Sequence, residues 1–204
     1  MSKVTMKKFD VDWTLIKNEC RQTINLKDSS KTPNDEWKKK LLICRHSPLR
    51  TGTMIVHIDD LEFFAHVHLV RHQFITPFVG TSRDDRNNDG IPRSEKSQTD
   101  PISMDLMMNV ESLMNISEKR LCMCASKETR GVWNKVVEEV GKYDENLAWA
   151  CVPSCVAKGG CVEPFSDCPY FEKFASTLTK EELIDMRTRL DKYNEYREKV
   201  KVKK

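Results

Sequence analysis

The thirteen residues Arg71-His72-Gln73-Phe74-Ile75-Thr76-Pro77-Phe78-Val79-Gly80-Thr81-Ser82-Arg83 place cations at both ends and hydroxyls between them. Pro77 withholds a ladder donor and Gly80 weakens a strand, so Thr76 to Arg83 fits an irregular strand at a sheet edge. Just upstream, EFFAHVHLVRHQ (Glu62 to Gln73) sets Phe63, Val67 and Val70 on one helical face, with His68 and Arg71 three residues apart. The helix ends where its polar residues cluster. Cations and hydroxyls at such spacing suit a phosphate and a hydrogen-bonding ring.

The flanks add to this helix and strand. Asn34 to Ile43 reads as a helix capped by Asn34, and Thr53 to Leu61 as a β-rich strand, joined through the polar connection Arg45-His46-Ser47-Pro48. Asp84 to Asp100, with Asn87, Asn88, Gly90 and Pro92, reads as a mobile loop. From Ser103 to about Val140 the pattern is helical, in two helices breaking near Ser117, with core candidates Leu106, Val110, Leu113, Ala125, Val132, Trp133, Val136, Val137 and Val140. A final docking helix begins at the capping box Thr179/Glu182 and carries Leu183, Met186, Leu190 and Tyr193 on one stripe. The expected fold class is α+β, a small mixed or antiparallel sheet with packed helices, plus a Cys-rich C-terminal segment. Its expected divisions are a core at 1–148, the Cys-rich segment at 149–174 and the helix at 175–204.

The 204 residues suffice for one full core. Charged residues make up 32%, yet 34 Lys+Arg against 31 Asp+Glu leave only +3, which argues against a nucleic-acid binder and leaves small anionic ligands open. No run approaches the roughly 18 apolar residues of a membrane span, and Met1 to Trp13 has no apolar signal core, so a soluble, cytoplasmic protein is expected.

The eight cysteines are then reduced thiols or metal ligands. Cys151, Cys155, Cys161 and Cys168, around Gly159-Gly160, could hold a structural zinc that orders an apolar-poor segment; an iron–sulfur cluster and free thiols stay open. At most one of Cys122 and Cys124 can face the same way as nearby Arg120, most simply in the core. A histidine metal site is disfavoured, because His57 falls on the strand while His66 and His68 point apart on a helix.

The Arg71 to Arg83 segment resembles the signature of flavin-dependent thymidylate synthases, R-H-R-x-x-S-x-N-E-x-S-x-R. Arg71, His72 and Arg83 match, Thr76 and Thr81 keep the hydroxyl, and Gln73, Phe78 and Val79 depart from Arg, Asn and Glu. Downstream, Asn109 to Asn115, then Arg120, then Ala125-Ser126-Lys127-Glu128 are similar to that family's N-x-R-S-L-x-N segment, active-site Arg and A-Q-x-E helix. The resemblance covers about residues 34 to 140, with the family's long helical insertion shrunk to the loop at Asp84 to Asp100.

The resemblance implies a homotetramer that binds FAD and a pyrimidine deoxynucleotide monophosphate between subunits. Methylenetetrahydrofolate supplies the one-carbon unit for C5 of dUMP, NADPH is the co-substrate reductant, and no cysteine nucleophile is used. It assigns Arg71, His72, Gln73, Asn109 and Asn115 to the flavin, and His68, Thr81, Arg83 and Arg120 to the nucleotide. Arg120 is also the catalytic residue, stabilising charge on the pyrimidine. Gln73 removes a cation and Glu111 sets an anion where the family has Arg, which weakens the flavin side. Uracil and cytosine, and methylation and hydroxymethylation, stay open. So do a nucleotide-binding module without chemistry and a zinc-stabilised adaptor using the basic tail Lys199 to Lys204.

Overall fold

A computed structural model describes residues 2–86, 90–97 and 99–202. The loop residues Asn87 and Asn88 and the end of the basic tail, 203–204, lie outside them. Strand β1 (Lys3–Asp10) leads to helix α1 (Trp13–Gln22), whose Asp12 cap accepts from the Thr14 and Leu15 amides. Helix α2 (Asp35–Cys44) is capped by Asn34, as its sequence predicts. A 3-10 turn at Ser47–Thr51 precedes β2 (Thr53–Glu62), α3 (Phe63–Val70) and the short β3 (Ile75–Val79). Then come β4 (Pro101–Asn109), α4 (Val110–Arg120) and α5 (Lys127–Gly141), followed by the short helices α6 (Glu145–Ala150), α7 (Ser154–Lys158), α8 (Tyr170–Ala175) and α9 (Lys180–Ile184) and the long α10 (Met186–Val202).

The fold is α+β: one four-stranded antiparallel sheet in the order β1-β2-β4-β3, with helices packed on it. Across the central pair, Met54 faces Met108, Val56 faces Leu106 and Ile58 faces Met104, all buried. The other face carries polar side chains: His57 Nδ1 lies 2.6 Å from Asp105, and the Lys7 ammonium 2.5 Å from the same carboxylate. This alternation is the mark of a sheet with one covered face. β3 is one of the two edge strands, a place that suits Pro77.

Several expectations are corrected. Ser103 to Asn109 is strand, not helix: Met104, Leu106 and Met108 are buried at every second residue, a period of two inside what looked like a helical run. The break falls at Leu121 to Ser126 rather than Ser117. Ser117 stays in the helix because its hydroxyl donates to the Leu113 carbonyl and accepts the Trp133 indole N–H at 2.9 Å. On α3 the buried face is Ala65, His66 and Leu69, while Phe63, Val67 and Val70 are half-exposed. The Thr179/Glu182 capping box forms, but its helix is only α9; Asp185 is extended, so Leu183 and Met186 belong to different helices.

Arg189 holds the C-terminal part together. Its buried guanidinium donates to the carbonyls of Val156 (2.8 Å), Ala157 (2.9 Å), Leu183 (2.5 Å) and Ile184 (2.8 Å), joining α7, α9 and α10. Gly159 ends α7 at φ 71°, and a Cβ there would sit 3.3 Å from the Arg189 guanidinium carbon, so both backbone and space call for glycine. Arg189→Leu leaves these acceptors without their donor and should lower stability by about 2–4 kcal/mol in urea unfolding; an unchanged midpoint would show that the four carbonyls find other donors.

Candidate active site

Arg120 ends α4 and turns its guanidinium onto the end of α3. Nε donates to His72 Nε2 at 2.8 Å and Nη2 to the His68 carbonyl at 2.5 Å. Accepting this bond requires a neutral His72 ring with its proton on Nδ1. Burial, then the Arg120 and Lys119 charges, push His72 down to about 4. Burial, with Arg120 and Arg71 beside it, also lowers His68, whose Nδ1 lies 3.1 Å from the Thr129 hydroxyl on α5. Burial and the neighbouring Arg71 lower Arg120 itself. Its two bonds use two of the five guanidinium N–H groups and leave three for a ligand.

Arg71, exposed beside this group, and the exposed Gln73 lead into a strained turn. Phe74 adopts φ 60° and is 78% exposed. A non-glycine residue in that region costs on the order of 1 kcal/mol, and the Ser112 hydroxyl holds it by donating to the Phe74 carbonyl at 2.8 Å. Asn109 caps α4, its amide oxygen accepting from the Ser112 N–H at 2.8 Å. The Asn115 amide oxygen accepts from Arg45 at 2.8 Å, and Arg45 also pairs with Glu118. Both asparagines keep their amide N–H groups for other acceptors.

Glu111 is paired by both oxygens with Arg50 of the Ser47–Thr51 turn. The anion at position 111 is therefore cancelled by a cation 61 residues away in sequence. No local pattern announces Arg50, because the partner comes from a different element.

Thr81 and Ser82 line a pocket of about 500 Å³ beyond the far end of β3. Arg83 does not line it, since its guanidinium is engaged by Asp85 at 2.8 and 2.6 Å. The four residues the resemblance assigns to the nucleotide thus fall into two groups. His68, and Arg120 which bonds it, lie toward the start of β3, Thr81 and Arg83 beyond its end, and the strand alone separates the two by roughly 13 Å at about 3.3 Å per residue.

The four cysteines sit in two different settings. Cys151 and Cys155 are buried in the core, where burial pushes their thiols up to about 11 and about 12, and the thiols of Cys122 and Cys161 act on Cys155 in the same direction. Cys161 is exposed and Cys168 half-exposed. Among the described residues no group of three or more His, Cys, Asp or Glu side chains is placed to hold a metal ion. His57 pairs with Asp105, and His66 bonds the Phe63 carbonyl. Among the described residues no helix is long and apolar enough to cross a membrane.

No family model matches this sequence, and no curated protein matches it. Solved structures do. A flavin-dependent thymidylate synthase ThyX from Helicobacter pylori, complexed with FAD and dUMP, aligns over 74% of this chain and 99% of its own, at a TM-score of 0.62 and 15% identity. A second structure of that enzyme with FAD and dUMP aligns over 72% and 99%, at 0.59 and 15%. The UMP/dUMP methylase PolB from Streptomyces cacaoi, bound with 5-Br dUMP, aligns over 74% and 94%, at 0.60 and 12%. At such identities the likeness is one of fold, and it spans nearly the whole length of those proteins: this chain has the fold of the flavin-dependent thymidylate synthases.

Proposed function

We propose that this chain binds a pyrimidine deoxynucleotide monophosphate, dUMP foremost, and transfers a one-carbon unit to its C5. Arg120 carries this reading. Among the described residues no carboxylate pairs with its half-buried guanidinium, which is held instead by a neutral imidazole and a carbonyl. A partly desolvated cation so arranged favours an anion or a ring on which negative charge develops. The order of the matched residues along the chain, and ThyX and PolB structures that contain dUMP or 5-Br dUMP, support the choice of ligand.

In this reading Arg120 lies against the pyrimidine, His68 and His72 hold it there, and Thr81 and Arg83 serve the phosphate. Because β3 keeps these groups apart, a complete site takes Arg120 from one chain and Thr81 from another, within a homo-oligomer of the tetrameric kind. FAD fits the donor set in chemistry: Arg71, the amide N–H groups of Asn109 and Asn115, and Arg50 offset the loss of a cation at Gln73 and the charge of Glu111. When bound, flavin supplies the reducing equivalents, with methylenetetrahydrofolate and NADPH as co-substrates. The residues named here bind, orient and neutralise charge.

A second reading, a nucleotide-binding module without chemistry, is favoured by the exposed Phe78 and half-exposed Val79 standing where that family's signature has Asn and Glu. Yellow protein with a flavin spectrum supports the enzyme, and colourless protein that binds dUMP supports the module.

Arg120→Ala should lower turnover of dUMP by about 100-fold or more, roughly 2.7 kcal/mol of transition-state stabilisation; turnover equal to the parent's would reduce Arg120 to a structural cation. Light scattering should give a particle heavier than the 23.7 kDa chain, and an active monomer would overturn the shared site. His72 supplies a pH test. Between about 6.5 and about 4 the unfolded chain takes up a proton that folded His72 refuses, so stability present above 6.5 is lost as pH falls through that window. His72→Gln should flatten the fall of melting temperature over this range. An identical slope in both proteins would mean His72 is not the neutral acceptor.

A further inference from the structure

A pocket of about 600 Å³, the volume of a small-molecule site, opens among α5, α8 and α10. None of the residues assigned above to flavin or nucleotide lines it. Helical spacing builds its polar wall: Arg130, Asn134 and Glu138 lie four apart on α5, and Tyr193 and Arg197 four apart on α10.

Arg130 is fixed by the turn before α5. Its Nη1 donates to the Met123 carbonyl at 3.1 Å and the Ala125 carbonyl at 2.9 Å, which uses both protons of that nitrogen. Among the described residues no acceptor takes its Nε–Nη2 edge, the edge by which Arg50 grips Glu111 and Arg83 grips Asp85. Asn134 steadies Arg197, its side-chain oxygen accepting from Nη2 at 3.2 Å while its amide donates to the Arg130 carbonyl at 2.9 Å. Lys173 of α8 is a further cation in the wall. Glu138, set against Arg197, still leaves Arg130 and Lys173.

The apolar part of the pocket is aromatic. Tyr193 and Tyr196 each pack on the buried Phe174 at 6.3 Å between ring centres, and Tyr170 meets Tyr196 edge to face at the same distance. Such packing fixes the ring faces offered to a ligand. Tyr193 is 6% exposed, and among the described residues no group bonds its hydroxyl. Because no polar atom sealed from solvent lacks a partner there, that hydroxyl opens to the pocket it lines. Burial pushes it up to about 12, so it keeps its proton and can donate.

We propose that this pocket binds a small aromatic carboxylate, with its ring against Tyr170 and Tyr196, its carboxylate forked on Arg130 and the Tyr193 hydroxyl as a further donor. The flat guanidinium edge matches a planar monoanion, and Glu138 in the wall disfavours a dianion. The site is separate from the function proposed above and does not rest on it.

Calorimetric titration of the full chain with 2-naphthoate tests this, with naphthalenemethanol as the neutral control and acetate as the anion without rings. The parent should bind naphthoate saturably and at least about tenfold more tightly than either control. Arg130→Met, and Arg130→Lys, which keeps the charge but loses the fork, should each weaken naphthoate at least about tenfold, as should Tyr196→Leu, which removes a ring face. Tyr193→Phe should weaken it a few-fold. Circular dichroism checks folding. If Arg130→Met fails to fold, the two tyrosine variants, which leave the Arg130 bonds to the backbone in place, decide the matter. Equal binding of the alcohol overturns the anion site. Unchanged binding in every folded variant, or displacement of naphthoate by dUMP, puts the ligand elsewhere and overturns the pocket, as does a parent that binds no naphthoate at millimolar concentration.

Discussion

Antiparallel pairing of β4 between β2 and β3 buries Met104, Leu106 and Met108 against Val56 and its neighbours, and this ladder fixes both candidate binding regions at once. One end of β4 runs directly into α4 through the Asn109 cap, which carries Arg120 to the end of α3. The other end meets Gly80 and the pocket walls. A slip of one residue in β4 would turn its methionines to solvent and displace both regions together.

Elements that declare themselves locally were legible in the sequence: the Asn34 cap of α2, β2, the Pro77 edge strand and the Thr179/Glu182 box. β4 was not, because Leu106 and Val110 fit a four-residue helical spacing as well as they fit a strand running into a helix, and only pairing with β2 decides between them. β1 and α1 escaped notice for a related reason. The lysines of KVTMKKFD dilute its alternation, and its register comes from β2, some fifty residues away.

The candidate site shows the same division. Arg71, His72 and Arg120 could be named from motif spacing, but the bond joining His72 to Arg120 spans 48 residues and depends on how α3 meets α4. The pairing of Glu111 with Arg50 shows why a charge read alone can mislead: a departure that looks repulsive is neutralised by an unrelated turn. The cysteines make the converse point. Of four thiols close in sequence, Cys151 and Cys155 enter the core, whereas Cys161 is exposed and Cys168 half-exposed, and Ser166 between those two meets Cys124.

The left-handed Phe74 has a mechanical consequence. Because the Ser112 bond holds that turn in a conformation its side chain disfavours, β3 leaves α3 in one direction rather than as a hinged arm. Together with the ladder to β4 this makes β3 a ruler of fixed length between the Arg120 group and the pocket lined by Thr81 and Ser82. In the assembly proposed here, the way two such rulers meet, not the pliancy of a loop, sets the gap a ligand must span. Selection would then act on ligand length as well as on charge.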